Sequence, residues 1–419
     1  MDLTPIRRSR ALALVLAARI LSLLCIGLTS VGVVVQVYGQ SRSSTQVAAV
    51  SLVLGTGLLA GLLVGGILAD RQNRKRLIMV GSCWAVVTFA ALSFNAASDH
   101  PQLWVIYLLG GLFGLTEGVA ETAMTAVVPS LVSEELLPAT GALITVTTTI
   151  GAIAGPVLGG LLIAGPGLAT TFAVAAAGTA VTMLCLAGLG PMPPEGADEE
   201  QPGPLDALRE GFAFVRGSRI VGAVLVVDLC AALFATPAAL FPQLAEQRFG
   251  GGPELVGILT TAPMVGATLA SVTSGWTGRL GSPGRVLFAA VAAFGLACMA
   301  FGLSPLLGFG LFFLALGGMA DTISEILRRT LLMQHTPDRL QGRVGSLWLA
   351  QAMTAPALGG VLAGLGASFL GPATTVAVGG AVCVVGAGLV ALFYPELWRL
   401  DAQLKTSDGA SAAEAGAAG

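Results

Sequence analysis

The stretch GGILADRQNRKRL, from Gly65 to Leu77, places an abrupt run of charge at the end of an uncharged segment. Residues 47–69 carry no charged side chain, and four basic residues follow within six positions: Arg71, Arg74, Lys75 and Arg76. The whole chain of 419 residues has only 21 Lys and Arg. An apolar segment of this length that ends in a basic cluster is typical of a helix that crosses a bilayer and ends at its surface.

The composition predicts the same class for the whole chain. Its mean hydropathy is +0.85, 55% of its residues are apolar and only 11% are charged, whereas soluble proteins carry about 25% charged residues. The chain is therefore predicted to be an integral membrane protein with a lipid bilayer as its surroundings. A net charge of −2 indicates no nucleic-acid partner.

No motif of an enzyme or of an ATP-driven pump occurs in the chain. A phosphate-binding loop requires G-x-x-x-x-G-K-[ST], but the two lysines, Lys75 and Lys405, follow Arg74 and Leu404. The metal-binding patterns H-E-x-x-H and C-x-x-C are also absent. We expect neither an enzyme nor a cofactor or metal site.

Apolar runs between polar or Gly/Pro breaks predict twelve membrane-spanning helices, since a bilayer-crossing helix needs roughly 20 mostly apolar residues. We call them spans 1 to 12. The first six are predicted at 11–38, 46–69, 77–97, 103–128, 139–164 and 168–190. The second six are predicted at 219–242, 254–276, 285–303, 306–328, 343–366 and 371–394.

This division predicts four regions. They are an N-terminal six-helix bundle (1–190), a linker (191–217), a C-terminal six-helix bundle (218–395) and a disordered tail (396–419). The linker begins with a flexible Pro/Gly/acidic segment and continues as a short amphipathic helix, Leu205 to Arg216, expected at the membrane surface. With a cytoplasmic N-terminus, eighteen basic residues fall on the inside and only Arg42 and Arg248 on the outside. This asymmetry predicts cytoplasmic termini.

The two sets of six spans resemble each other in sequence. AGPVLGGLLIAGPGLATTFAVAAAG, from Ala154, aligns with TAPALGGVLAGLGASFLGPATTVAVGG, from Thr354, at an offset of 200. Spans 2 and 8 align at an offset of about 209. Two parallel six-helix repeats predict an all-α membrane protein of two pseudo-symmetric bundles around a central cavity, as in many secondary transporters. A membrane scaffold that transports nothing has a similar composition, but the repeat favours a transporter.

The opening stretch resembles the signature G-x-L-A-D-R-x-G-R-K of the major facilitator superfamily. The matching residues are Gly66, Leu68, Asp70, Arg71, Arg74 and Lys75. Asn73 replaces the second glycine, and asparagine tolerates a left-handed turn. The resemblance implies the major facilitator fold and a cytoplasmic latch, in which Asp70 contacts the other half of the protein. The alternative is that the basic residues only orient the protein in the membrane.

A second motif lies in span 5. TTTIGAIAGPVLGG contains Gly151, Gly155, Pro156, Gly159 and Gly160, which matches G-x-x-x-G-P-x-x-G-G, a pattern associated with exporters and antiporters of this superfamily. The resemblance implies export. Close packing of helices through small residues is the alternative explanation.

Along nearly its whole length the chain is similar to bacterial siderophore exporters of this superfamily and to related multidrug and macrolide effluxers. The resemblance implies a monomeric transporter of the bacterial inner membrane. It exports a small amphipathic molecule, for which a siderophore is one candidate class, and it is driven by the proton gradient without a cofactor. Multidrug efflux is the alternative function, and a non-transporting membrane sensor or scaffold is a third.

Ionisable residues inside predicted spans are candidates for proton coupling because charges in a membrane are costly. Glu117 and Glu121 on span 4, and Asp321 and Glu325 on span 10, form two i, i+4 pairs that share a helix face. The two pairs are 204 residues apart, close to the offset of the repeat. They are candidates for proton coupling or, alternatively, partners of the latch arginines.

Asp228 on span 7 has no basic residue near it in sequence, which makes it a further proton-site candidate. Arg19 on span 1 is either its counter-charge or a residue that reaches the membrane surface. The superfamily's drug–proton antiporters often have an arginine on span 4, and this chain has none there.

Five polar or aromatic residues are candidates for contact with the substrate in the cavity, and each is alternatively a contact between helices. They are Gln36, Thr145, Thr148, Trp348 and Gln351. An anionic catecholate siderophore requires cationic groups, and apart from Arg19 the spans are poor in them.

Overall fold

The computed structural model describes residues 10–127, 136–188, 204–235, 237–275 and 281–400. Within these ranges, twelve helices are long and apolar enough to cross a membrane, which confirms the predicted number. The first six are Arg10–Ser41, Ser44–Arg71, Arg74–Ala97, Leu103–Val127, Leu137–Ala164 and Leu168–Ala187. The others are Arg219–Phe234 continued by Phe241–Gln247, then Pro253–Thr273, Pro283–Leu303, Leu307–His335, Asp338–Leu370 and Pro372–Phe393.

Span 7 is interrupted, whereas the sequence predicted one continuous helix over 219–242. Its first piece ends at Phe234, and a 3₁₀ turn, Ala238–Leu240, leads into the second piece. Pro237 precedes the turn, and a proline cannot donate a backbone hydrogen bond and disfavours helical geometry in the residue before it. The second piece, Phe241–Gln247, completes the span.

Spans 10 and 11 extend further than predicted at the ends where they meet. Span 10 was predicted to end at 328 but continues to His335, and span 11 begins at Asp338 rather than at 343. The charged residues of this region were interpreted as a loop. Charge ends a membrane crossing but not a helix, because lysine and arginine are good helix formers.

A short helix, Pro204–Gly217, lies where the linker helix was predicted. It packs against the start of span 11, where a Cβ added to Gly211 would lie 2.8 Å from the carbonyl oxygen of Arg343. Glu210 on the linker helix forms an ion pair with Arg343. The linker helix therefore contacts the second half of the protein directly.

The packing of spans 5 and 11 follows the internal repeat. In span 5, Gly155 lies against Gly27 of span 1, and Gly160 lies against Pro253 of span 8. In span 11, Gly359 lies against Ala232 of span 7, and Gly360 lies against Ala48 of span 2. Since spans 5, 1 and 8 correspond to spans 11, 7 and 2 in the repeat, the two halves use equivalent contacts.

The two halves contact each other through two pairs of helices, spans 2 and 11 and spans 5 and 8. We call the end with the turn between spans 1 and 2 the outer end, and the end with the turn between spans 2 and 3 the inner end. A buried apolar cluster at the outer end joins Val31 and Ile163 of the first half to Leu240, Leu255 and other residues of the second. Among the described residues, a second buried cluster joins spans 7, 9, 10, 11 and 12 and contains no first-half residue.

Candidate functional site

The turn between spans 2 and 3 carries the residues of the first motif. Asn73 caps span 3, because its side chain accepts a hydrogen bond from the backbone N–H of Lys75 at 3.0 Å. Only Gln72 and Asn73 separate spans 2 and 3, so the turn is tight as expected, but with a φ of −61° Asn73 makes it without the left-handed conformation that asparagine tolerates. The Lys75 ammonium donates to the carbonyl oxygen of Ala187 at 2.8 Å, at the end of span 6, where a helix attracts cations.

The remaining members of this motif are only partly described. Arg74 is buried, and a Cβ added to Gly66 would have no neighbour within 4 Å. The side chains of Asp70 and Arg71 lie outside the described part of the structure. The contact of Asp70 with the other half therefore stays a prediction.

The charged residues of the first half form an ion pair between spans 1 and 4. The Arg19 guanidinium lies 3.1 Å from a carboxylate oxygen of Glu121. Glu117, one turn earlier on span 4, lines the same small cavity of about 50 Å³. The suggestion that Arg19 balances Asp228 is wrong because Arg19 has its partner inside its own bundle. The partner of Glu121 is likewise Arg19 rather than a latch arginine.

The charged residues of the second half form a larger buried network. Arg328 on span 10 bonds Asp228 on span 7 and lies 3.1 Å from Asp321 on its own helix. Only 4% of the Arg328 side chain is exposed. Gln351 on span 11 donates to the second oxygen of Asp228 at 2.6 Å and to the carbonyl oxygen of Leu225 at 3.0 Å. The network thus joins spans 7, 10 and 11.

Two expectations about this network are corrected by the structure. Asp228 is not isolated: it has a buried cationic partner that the sequence places 100 residues away. Arg328 was counted among the charges of an inside loop, but it lies on a helix and is buried. The sequence did contain a signal for the contact of Arg328 with Asp321, because the two residues are seven apart and share a helix face; it contained none for the pair with Asp228.

The two ion-pair clusters occupy equivalent places in the repeat. Asp228 lies 209 residues after Arg19, the offset at which spans 2 and 8 align. Both clusters link the first helix of a bundle to its fourth helix, but the charge on the first helix is reversed. The first half has a cation on span 1 and acids on span 4, and the second half has an acid on span 7 and both signs on span 10.

The second motif forms close contacts on two faces of span 5. Added Cβ atoms at Gly155 and Gly159 would lie 2.9 and 3.0 Å from Cα atoms of span 1, and one at Gly151 would lie 2.4 Å from Leu23. On another face, a Cβ added to Gly257 of span 8 would lie 2.4 Å from the carbonyl oxygen of Pro156. The small residues therefore place span 5 between span 1 of its own half and span 8 of the other half.

The candidate cavity residues lie in different surroundings. Thr145 and Thr148 are exposed, and each hydroxyl donates to a carbonyl oxygen one turn earlier. Gln36 is 3% exposed, and its amide has no hydrogen-bond partner among the described residues. Gln351 belongs to the Asp228 network, and Trp348 lies under the Arg329 guanidinium, 5.6 Å from the ring centroid.

Polar contacts at the outer end join the two halves, and the sequence indicated none of them. Arg42, which follows span 1 with a φ of +49°, bonds both oxygens of Glu246 at 2.6 Å. Ser44 donates to the side-chain oxygen of Gln243 at 2.7 Å. Gln243 and Glu246 lie on the second piece of span 7, so the break in that span brings them to the turn between spans 1 and 2. We call these contacts the outer clasp.

Among the described residues, no group of three or more His, Cys, Asp or Glu is placed to hold a metal ion. Twelve spans in two equivalent bundles define a secondary transporter of the major facilitator type.

Comparisons with known proteins identify the family. The chain belongs to the transmembrane secretion effector family, whose model matches residues 2–414. It is 34% identical to the enterobactin exporter EntS of Shigella boydii, with 95% of each chain covered. It is also 34% identical to EntS of Escherichia coli O157:H7 and 33% identical to EntS of Citrobacter koseri, with 98% of each chain covered in both cases.

Solved structures of major facilitator transporters have the same fold. A variant of the nucleoside transporter NupG superposes with a TM-score of 0.76 at 15% identity and covers 91% of this chain and 100% of its own. A bacterial homologue of the lysosomal transporter Spinster superposes with a TM-score of 0.68 at 16% identity, with 93% and 96% covered. The predicted fold and the superfamily are thus confirmed.

Proposed function

We propose that this protein exports a siderophore of the enterobactin type across the bacterial inner membrane by proton-coupled alternating access. The observation that carries the proposal is the identity of about one third to curated enterobactin exporters, over nearly the full length of both chains. Both termini face the cytoplasm in this proposal, as the eighteen-to-two distribution of basic residues favours. The inner end is then the cytoplasmic end. The transporter is a monomer in this proposal, and nucleic acid is not among its partners.

Proton coupling is assigned to the two ion-pair clusters. When a buried carboxylate takes up a proton it loses its negative charge, and its ion pair with a neighbouring arginine is lost. Protonation therefore changes which helices are held together. Asp228 is the first candidate because Arg328 and Gln351 hold it between three spans. Asp321 and Glu325 complete the group in the second half. Arg19, Glu117 and Glu121 form the corresponding group in the first half.

Alternating access requires that the contacts between the halves break at one end and form at the other. The outer clasp and the apolar cluster around Leu240 support a closed outer end. In the outward-open state these contacts separate, and the latch of Gly66, Asp70, Arg71, Arg74 and Lys75 closes the inner end. Span 5 moves against span 8 on the glycine contacts around Pro156.

The test is efflux of enterobactin from proteoliposomes with an imposed pH gradient. We expect gradient-dependent efflux from the parent protein and its loss in Asp228→Asn, with Asp228→Glu retaining part of it. Asp99→Asn, the same carboxylate-to-amide change at an exposed position in the turn between spans 3 and 4, is the matched control. Absence of gradient-dependent efflux would contradict the proposal, and efflux of lipophilic drugs without enterobactin transport would favour multidrug efflux.

A further inference from the structure

A second candidate binding site lies at the inner ends of spans 10 and 11. A pocket of about 230 Å³ opens between the last turns of span 10 and the first turns of span 11. It is separate from the buried network, because the residues of that network do not line it. Its walls include apolar side chains such as Leu332 and Val344 and four residues that offer polar chemistry: Arg329, Thr336, Gln341 and Trp348.

Two hydrogen-bonding groups of this pocket have no partner among the described residues. The hydroxyl of Thr336 and the indole Nε1 of Trp348 are both buried without a hydrogen bond, and Thr336 as a whole is 6% exposed. Most buried polar groups in proteins are paired, so two unpaired groups in one pocket need an explanation. An acceptor atom of a ligand would satisfy both, because an indole N–H and a hydroxyl can each donate.

The pocket also has a positive charge at its edge. The Arg329 guanidinium lies over the Trp348 ring at 5.6 Å from its centroid, which holds the cation against the pocket wall. Arg329 forms no ion pair within 4 Å among the described residues, although Glu325 lies one turn earlier on span 10. Its N–H groups therefore remain available for an oxyanion, which arginine binds through two parallel hydrogen bonds.

The size and walls of the pocket restrict the ligand further. Sites for drug-sized molecules usually measure about 300–1,000 Å³, so a pocket of about 230 Å³ holds one ring rather than a large molecule. Leu332 and Val344 are buried apolar neighbours, and the indole of Trp348 favours a second aromatic ring. An acidic group on an aromatic ring matches the charge, the donors and the apolar walls together.

We propose that this pocket binds an aromatic acid group, as one acidic ring of the exported cargo at the inner end of the transporter. The oxyanion pairs with Arg329, the ring lies against Leu332 and Val344, and the donors of Thr336 and Trp348 bind its remaining oxygens. This inference rests on the proposed function, since it names the chemical feature by which the cargo is recognised. The proposal places Trp348, one of the predicted cavity residues, in this inner subsite.

The experiment measures binding of radiolabelled salicylate to the purified full-length protein in phosphatidylcholine nanodiscs. Millimolar, saturable binding is expected for a ligand of this size. Arg329→Gln should weaken it by roughly tenfold or more, because a charged hydrogen bond is lost. Thr336→Val and Trp348→Phe should each weaken it by about 2- to 10-fold, since each removes one donor and keeps the shape. Benzamide, the uncharged probe, should bind weakly to all of them.

The matched control is Arg285→Gln, which removes an exposed arginine of span 9 that does not line the pocket. Binding lost equally in Arg285→Gln and Arg329→Gln, or no saturable binding at all, would overturn the proposal. A second arm adds phosphatidylglycerol to the nanodiscs: Arg329-dependent displacement of salicylate by this lipid would assign the pocket to a lipid head group instead. Binding needs no gradient, so its failure is distinguishable from a failure of enterobactin efflux.

Discussion

Replacing Arg328 by glutamine should destabilise the protein strongly. Its side chain is 4% exposed and bonds carboxylates of two spans, Asp228 and Asp321. Without the cation, the Asp228 carboxylate, which is 11% exposed, keeps only the amide of Gln351 as a side-chain partner among the described residues. Removing one member of a buried ion pair costs about 3–5 kcal/mol, because the other charge stays buried without compensation.

A double-mutant cycle separates this pairing from a general loss of packing. Arg328→Gln and Asp228→Asn should each lower the free energy of unfolding by about 3 kcal/mol. The double variant should lose about 2 kcal/mol less than the sum, because no Asp228 charge is then left without Arg328. The loss of Arg328 from Asp321 is common to the Arg328→Gln and double variants and cancels in the cycle. The measurement is a titration with SDS in mixed micelles, followed by the fluorescence of the five tryptophans.

The outer ion pair is the matched control for the buried one. The side chains of Arg42 and Glu246 are 64% and 51% exposed, and exposed ion pairs contribute about 0–1 kcal/mol. Arg42→Gln should therefore lower the free energy of unfolding by less than about 1 kcal/mol. If Arg328→Gln is no more destabilising than Arg42→Gln, or if the cycle gives an interaction energy below about 0.5 kcal/mol, the assigned role of the buried network is wrong.

Three further predictions concern packing, the outer clasp and the inner turn. Gly155→Ala should destabilise the protein by about 1–3 kcal/mol, because the added Cβ would lie 2.9 Å from a backbone atom of span 1. Gly66→Ala is the control: its Cβ meets no neighbour within 4 Å and should not destabilise the protein. Thermal unfolding of the two variants measures the difference. Cross-linking of a Ser44→Cys, Gln243→Cys double variant with a short bis-methanethiosulfonate should join the halves and stop efflux until reductant is added, because the reagent replaces the reach of the parent glutamine, whose side-chain oxygen lies 2.7 Å from the Ser44 hydroxyl. Efflux that continues with the cross-link formed would argue against movement at the outer end. Asn73→Ala should cost about 1 kcal/mol and Asn73→Gly only a few tenths, in the same SDS titration, and equal losses would contradict the capping role.

Much of the architecture could be predicted because it depends on local sequence. The number of spans follows from the length of apolar runs, and most helix ends agree with the predicted ends within a few residues. The errors occurred where the local rule is ambiguous. Charged residues around His335 were interpreted as a loop although they continue spans 10 and 11, and Pro237 breaks a helix that hydropathy alone makes continuous.

The candidate site was predicted less well. The acids of spans 4, 7 and 10 were identified from their cost in a membrane, but their partners were not. Arg328 was counted among the charges of an inside loop, although it is buried and pairs with Asp228. Arg19 was suggested as the counter-charge of Asp228, although it forms its ion pair with Glu121. The identity of a partner depends on which helix faces pack together, and a single sequence contains no direct record of that packing.

The sequence by itself determined the membrane-spanning helices and their arrangement as two repeats. A bilayer leaves backbone groups no water to bond, so an apolar segment of sufficient length must form a helix whatever its neighbours do. Only the tertiary structure decided which charges meet across the spans and that Arg42 and Glu246 join the halves at the outer end. These features depend on distances between residues far apart in the chain, and such distances arise only when the helices pack.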